Sequence, residues 1–199
     1  MPARNNAMSE LVRFWLESRH GCLVKESVPV KVPHNYSDID LVAVRPDLQP
    51  WNLPDGTPIT RAIVETKDEH DFDKHGTDFG KRLVYDNSVL GKNLYTPAKM
   101  RVHFSMLRAE HYEEAKKLFG TDDFDRIFVV HALNQNVRDE LCPGLKDKRI
   151  HFLTIKEVIK DIQSWYVNFE KKSTLRNTLV GDLWYLLFGY CSDSLTDGN

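Results

Sequence analysis

The chain predicts an α/β fold, and three features of its 199 residues carry that prediction. Short β-branched runs bounded by turn residues recur at Ile39–Val44, Ile59–Lys67, Arg126–Leu133 and Ile150–Ile155, the way strands buried in a sheet read. Around them lie segments with helical spacing, the clearest of which opens at Thr154. No repeat, low-complexity tract or linker divides the chain, so one domain over 1–199 is expected, with 41% hydrophobic and 11% aromatic residues to fill its core.

The first helix should run from Met8 to His20, where Leu11, Phe14, Trp15 and Ser18 follow helical spacing and Gly21 stands at the C-terminal cap. Cys22–Val32 reads as an extended strand or strand pair, interrupted near Pro29, and a turn over His34–Ser37 leads into Ile39–Val44. Arg45–Pro58 carries four prolines and the Asp55-Gly56 pair, which predicts a long surface connection before the strand Ile59–Lys67. From Asp68 to Tyr95 the sequence is polar and glycine-punctuated, with one helix suggested over Lys81–Leu90. Arg101–Leu107 alternates Val102, Phe104 and Met106 like a strand, yet runs straight into the helical A-E-H-Y-E-E-A-K-K-L-F, which Gly120 ends.

Beyond it, Arg126–Leu133 and Ile150–Ile155 should be strands flanking a short helix near Val137–Leu141. Thr154 and Glu157 form a T-x-x-E capping box ahead of an apolar face of Val158, Ile159, Ile162, Trp165, Tyr166 and Phe169. A last helix spans about Leu175–Tyr190. Its Trp184, Leu187 and Phe188 either pack against the helix led by Thr154 or form the seam of a homodimer. Residues 192–199 should fray.

Composition narrows the function. A formal charge of -2 argues against a uniformly basic nucleic-acid binder, so any phosphate contact must use a local strip. The best candidate is Lys74, Lys81, Arg82, Lys92, Lys99 and Arg101, which outnumber Asp73, Asp78 and Asp86; the alternative is an ordinary solvated surface. Cys22, Cys142 and Cys191 are too scattered for a disulfide framework or zinc ribbon, and the spacing of His70 and His75 does not put them on one helical face. With neither an apolar leader nor a run of about 18 apolar residues, a soluble cytoplasmic protein is expected.

The chemistry concentrates in S-D-I-D-L-V-A-V, residues 37–44, and A-I-V-E-T-K, residues 62–67. Strand side chains alternate faces, so Glu65 and Lys67 project together while Val64 and Thr66 point the other way. If the two strands are neighbours, Asp40 and Glu65 can share a divalent cation, and hard carboxylate oxygens suit Mg²⁺, with Mn²⁺ able to substitute. Such a metal activates water and relieves charge on a phosphoryl group, with Lys67 placing or deprotonating the water. The bland alternative is a surface ion pair of little energetic weight.

These segments resemble the PD-(D/E)xK, or restriction-endonuclease-like, superfamily. I-D-L-V-A-V supplies the acidic residue Asp40, E-T-K supplies the (D/E)-x-K triplet, and S-E-L-V-R-F-W-L-E supplies Glu10 on the preceding helix. The resemblance covers about residues 8–170. It implies a central mixed sheet flanked by helices and a Mg²⁺-dependent endonuclease acting on DNA. In that scheme Asp40, Glu65 and the Thr66 carbonyl bind metal, Lys67 places the water, Glu10 completes the shell and Asp38 supports. The chain departs from many relatives in lacking a glutamine on the helix after the triplet, where Lys81 stands instead. The implied setting is restriction, phage defence or DNA repair. Alternatives on the same fold are an RNase or junction resolvase, a binding module without cleavage, and a subunit governed by a partner.

Overall fold

Why the central strands are so apolar is evident from their setting, between two layers of helix. The computed structural model describes residues 7–33, 35–67, 105–131, 133, 139, 142–170 and 172–191. The expected helix over Lys81–Leu90, the basic strip, the two loop histidines and the tail 192–199 lie outside the described residues, as does most of the segment Val137–Leu141. The elements in order are α1 (Ala7–Phe14, continued as a π-helical turn Trp15–Arg19), β1 (Leu23–Val32), β2 (Asn35–Val44), β3 (Trp51–Asn52), β4 (Pro58–Ile59) and β5 (Arg61–Lys67). They continue as α2 (Ala109–Phe119), β6 (Asp125–Val130), α3 (Cys142–Lys146), β7 (Ile150–Thr154), α4 (Ile155–Asn168) and α5 (Leu179–Cys191).

Five strands make one mixed sheet in the order β1-β2-β5-β6-β7. β1–β2 and β2–β5 pair antiparallel, whereas β5–β6 and β6–β7 pair parallel and need crossovers between them. On one face Val28, Val30, Ile39, Ile63, Phe128 and Phe152 pack with Met106, Ala115 of α2 and Leu145 of α3. On the other, Leu41, Ala43, Val64, Ile127 and Leu153 meet α1, α4 and Trp184 of α5. The α/β expectation holds, with helices on both sides of a mixed sheet.

α1 buries Met8, Val12, Phe14, Trp15 and Leu16, a wider stripe than the expected one, and leaves Leu11 and Ser18 half-buried. Gly21, at φ +67°, closes its end: the Gly21 N–H donates to Glu17 O at 3.1 Å and the Cys22 N–H to Leu16 O at 3.0 Å. The indole N–H of Trp15 donates to Asp161 at 2.8 Å, tying α1 to α4.

Three expectations need correction. β1 is a single strand that passes through Pro29; as an edge strand it tolerates a residue without an N–H. β2 starts at Asn35, earlier than Ile39, and Asn35 already pairs with Val32. The proline-rich connection is not a surface loop throughout, since it folds into the β3–β4 hairpin around Gly56 at φ +83° and buries Trp51, Leu53 and Ile59 in the α1-side core.

Ser105–Leu107 is a 3₁₀ turn, not a strand, and Met106 and Leu107 are both buried although adjacent. The short helix between β6 and β7 is described at Cys142–Lys146. α5 begins at Leu179, after a 3₁₀ turn over Lys172–Asn177 that includes Leu175, and it packs chiefly on that turn and on α1. Gly181 is required there, since a Cβ would collide with the Leu175 carbonyl. Trp184 is buried, whereas Leu183 and Leu187 are exposed. Among the described residues no helix is long and apolar enough to cross a membrane.

The capping box is present in full: Thr154 Oγ1 accepts from the Glu157 N–H at 3.3 Å, and the Glu157 carboxylate accepts from the Thr154 N–H at 2.7 Å. Thr154→Ala should therefore cost about 1 kcal/mol. In a thermal melt that corresponds to a midpoint lower by about 2–4 °C. An unchanged melt would mean the box adds nothing to α4.

Candidate active site

β2 and β5 stay hydrogen-bonded only as far as Leu41 and Val64, although β5 runs on to Lys67 and β2 reaches back to Asn35. Past that pair the strands part. Asp40 stands at the fork, and its Oδ2 accepts the Thr66 N–H at 2.7 Å and the Thr66 hydroxyl at 3.1 Å. The carboxylate thus does for Thr66 what a neighbouring strand's carbonyl would have done. In a strand the N–H and C=O of one residue leave on the same side, so the Thr66 carbonyl also faces the opening beside Asp40.

The neighbouring strand is deformed at the same level. Ser27 lies across from Asp40, between the pairs Glu26–Leu41 and Val28–Ile39, and has a φ of +49°. A non-glycine residue in the left-handed region is retained only where its surroundings fix it. The ribbon turns over there: Cys22, Val24, Leu41 and Ala43 join the α1-side core, while Val28, Val30 and Ile39 join the α2-side core. That turn-over is what directs Asp40 toward β5 and not into either core.

Glu65 is 3% exposed. One of its oxygens accepts the Met106 N–H at 3.0 Å, delivered by the 3₁₀ turn, and the other pairs with the Lys67 ammonium, its neighbour on the same strand face. The expected alternation holds, since Thr66 points the opposite way, where the Ser9 hydroxyl of α1 lies 2.7 Å from its own. Because the Thr66 hydroxyl proton goes to Asp40, Ser9 donates in that contact.

Burial pushes the Asp40 carboxyl up to about 6; the Thr66 N–H works against the rise, the negative charge of Glu65 adds to it and the Lys67 ammonium opposes it. Asp40, Glu65 and Lys67 therefore share one electrostatic neighbourhood. Glu10 does not join them: its charge acts on Arg13, and among the described residues no group of three or more Asp, Glu, His or Cys side chains comes together. Successive helix positions are about 100° apart, and it is Ser9 that α1 turns toward Thr66. Asp38 is exposed, and its contribution is its main-chain oxygen, which accepts from His111 Nε2 at 3.2 Å.

His111, on α2, is fully buried and also lies 3.1 Å from the Ser37 hydroxyl. Burial holds its imidazole below the usual range. Ser9, Ser27, Met106 and His111 were not flagged by motif, because none sits near the two acidic segments in sequence. Comparison with known proteins found no matching family model, no matching curated protein and no matching solved structure.

Two carboxylates and one lysine fit a hard divalent cation, since Mg²⁺ is commonly held by one or two carboxylates with water and phosphate oxygens completing the shell. Asp40 Oδ1 has no hydrogen-bond partner among the described residues and faces that role without rearrangement. A carboxyl raised from 3.8 to about 6 makes the metal-free fold bind its proton more tightly than the unfolded chain does. The contribution of Asp40 to stability should therefore fall as pH rises from about 4 to about 6 and then level off. Asp40→Asn, which keeps the acceptor for Thr66, should stabilise the metal-free protein at pH 8 by about 1–3 kcal/mol and much less at pH 4. Urea denaturation in EDTA at both values measures this. A variant less stable at pH 8 would mean that the ionised carboxylate is no burden there.

Proposed function

We propose that the chain is a Mg²⁺-dependent endonuclease of the PD-(D/E)xK, restriction-endonuclease-like class, hydrolysing phosphodiester bonds in DNA. The observation that carries this reading is the meeting of a buried carboxylate, Glu65, and a half-buried one, Asp40, with Lys67 at the point where two neighbouring strands stop pairing. Burying like charges together is costly without a ligand to match them. The order of a helix, a three-stranded antiparallel portion, a crossover helix and two parallel strands agrees with that class.

Asp40, Glu65 and the Thr66 carbonyl are the groups that would hold the metal. When bound, it would supply a Lewis acid and an acidified water. Lys67 would leave Glu65 to position that water and offset charge gathering on the phosphoryl oxygens. The basic segment from Lys74 to Arg101 is assigned phosphate contact on charge alone. Asp40 must be ionised to bind a cation, so metal affinity and cleavage should both decline below about pH 6.

The decisive assay incubates plasmid, linear duplex, single-stranded DNA, a branched DNA and RNA with Mg²⁺ or Mn²⁺. Nicking of closed circular plasmid that EDTA abolishes is the expected result. Asp40→Asn and Lys67→Ala should each lower the rate by about 100-fold or more. Cleavage that persists in EDTA and in Lys67→Ala would remove this mechanism. Preference for RNA or for the branched substrate would reassign the substrate and keep the site.

A further inference from the structure

The fork between β2 and β5 leaves main-chain groups on both strands without the ladder partners they would otherwise have. On β5 the Thr66 N–H is taken by the Asp40 carboxylate. On β2 the Asp38 carbonyl, two residues before Asp40, is taken by His111 Nε2. A carbonyl can only accept, so His111 carries its proton on Nε2 and directs it at Asp38 O, with the Ser37 hydroxyl beside it at 3.1 Å. Nδ1 is buried without a hydrogen-bond partner among the described residues, so one nitrogen accounts for the polar contacts of this ring. An apolar residue would fill the same space on α2 at no such cost.

We propose that His111 is a positioning residue: by holding the Ser37–Asp38 main chain away from β5 it keeps the strands parted and sets Asp40 against Thr66, a role that rests on the hydrolytic reading of the site. Without that hold the Ser37–Asp38 segment would shift and draw Asp40 off the Thr66 N–H, which would be left without its acceptor. The opening that accepts a cation would be lost with it. Three features meet at this level: the end of β2–β5 pairing, the left-handed Ser27 opposite Asp40, and a wholly buried histidine reaching from another element.

His111→Met, close in volume but without a donor, is compared with His111→Gln, whose amide N–H can replace Nε2–H. Amide hydrogen exchange is followed in the metal-free protein, so the readout does not depend on any activity. In His111→Met the Thr66 amide should lose protection by about tenfold more than Val64 and Ala62, which sit in the intact ladder, and His111→Gln should restore most of it. If His111→Met does not fold, His111→Asn, whose shorter amide falls short of Asp38, takes its place.

A uniform loss of protection across β5, or an unaffected Thr66 amide, overturns the proposal and leaves His111 as a packing residue. Mn²⁺ titration by calorimetry on the same three proteins separates the two readings. Weaker binding in His111→Met, recovered in His111→Gln, supports both. Selective loss at Thr66 in a chain whose wild type binds no Mn²⁺ upholds the positioning role and sinks the metal.

Discussion

The hydrogen bond from the Thr66 amide to Asp40 is the contact on which the middle of the molecule turns. A sheet propagates by main-chain pairing, and where pairing stops each exposed N–H and C=O must find another partner. Here that partner is a carboxylate on the departing strand, which ends the ladder and fixes an acid at the same place. The Ser9 hydroxyl of α1 supports the arrangement from one face through Thr66, and α2 supports it from the other through His111 and the nearby Met106 amide. The layers of helix around the sheet are therefore more than covering.

The two ends of the parallel strands handle buried charge differently. Near the start of β6, Asp125 is paired with His151 at 2.8 Å and lies 3.5 Å from Arg149, so its charge is matched locally. At the far end of β5, two carboxylates stand beside one ammonium, and burial, with the charge of Glu65 adding to it, raises the Asp40 carboxyl to about 6. In the first arrangement Arg149 is shared with Asp123, and cations and carboxylates alternate. The second sets two carboxylates beside one ammonium, the feature on which the proposed cation site rests.

Much of this was legible from local sequence rules. Alternation placed Glu65 and Lys67 together, a capping box located α4, Gly21 and Gly120 marked two helix ends, and the abrupt start of I-D-L-V-A-V singled out Asp40 over Asp38. What escaped depends on partners distant in the chain. Ser9 meets Thr66 across 57 positions and His111 meets Asp38 across 73, and no spacing rule reaches that far. Met106 misled for a related reason: its alternation with Val102 and Phe104 suggests a strand, but its amide is committed to Glu65. Trp51 and Leu53 were lost behind their prolines, whose turn-forming tendency describes the backbone and says nothing of where the intervening apolar side chains go. A helix motif likewise does not specify rotation, and it is Ser9 that the helix presents to Thr66.

The outer strand β1 has a consequence beyond the fold. Its flank, unpaired among the described residues, would be a template for another chain to add itself, the first step toward a fibril. Beyond Leu23 the exposed positions along it are Lys25, Ser27, Pro29 and Lys31: two repelling cations, a kink and a residue with no amide hydrogen to offer. A newcomer could not keep in step for more than a few residues, so the same kink that turns Asp40 toward β5 also guards the protein against self-association through its margin.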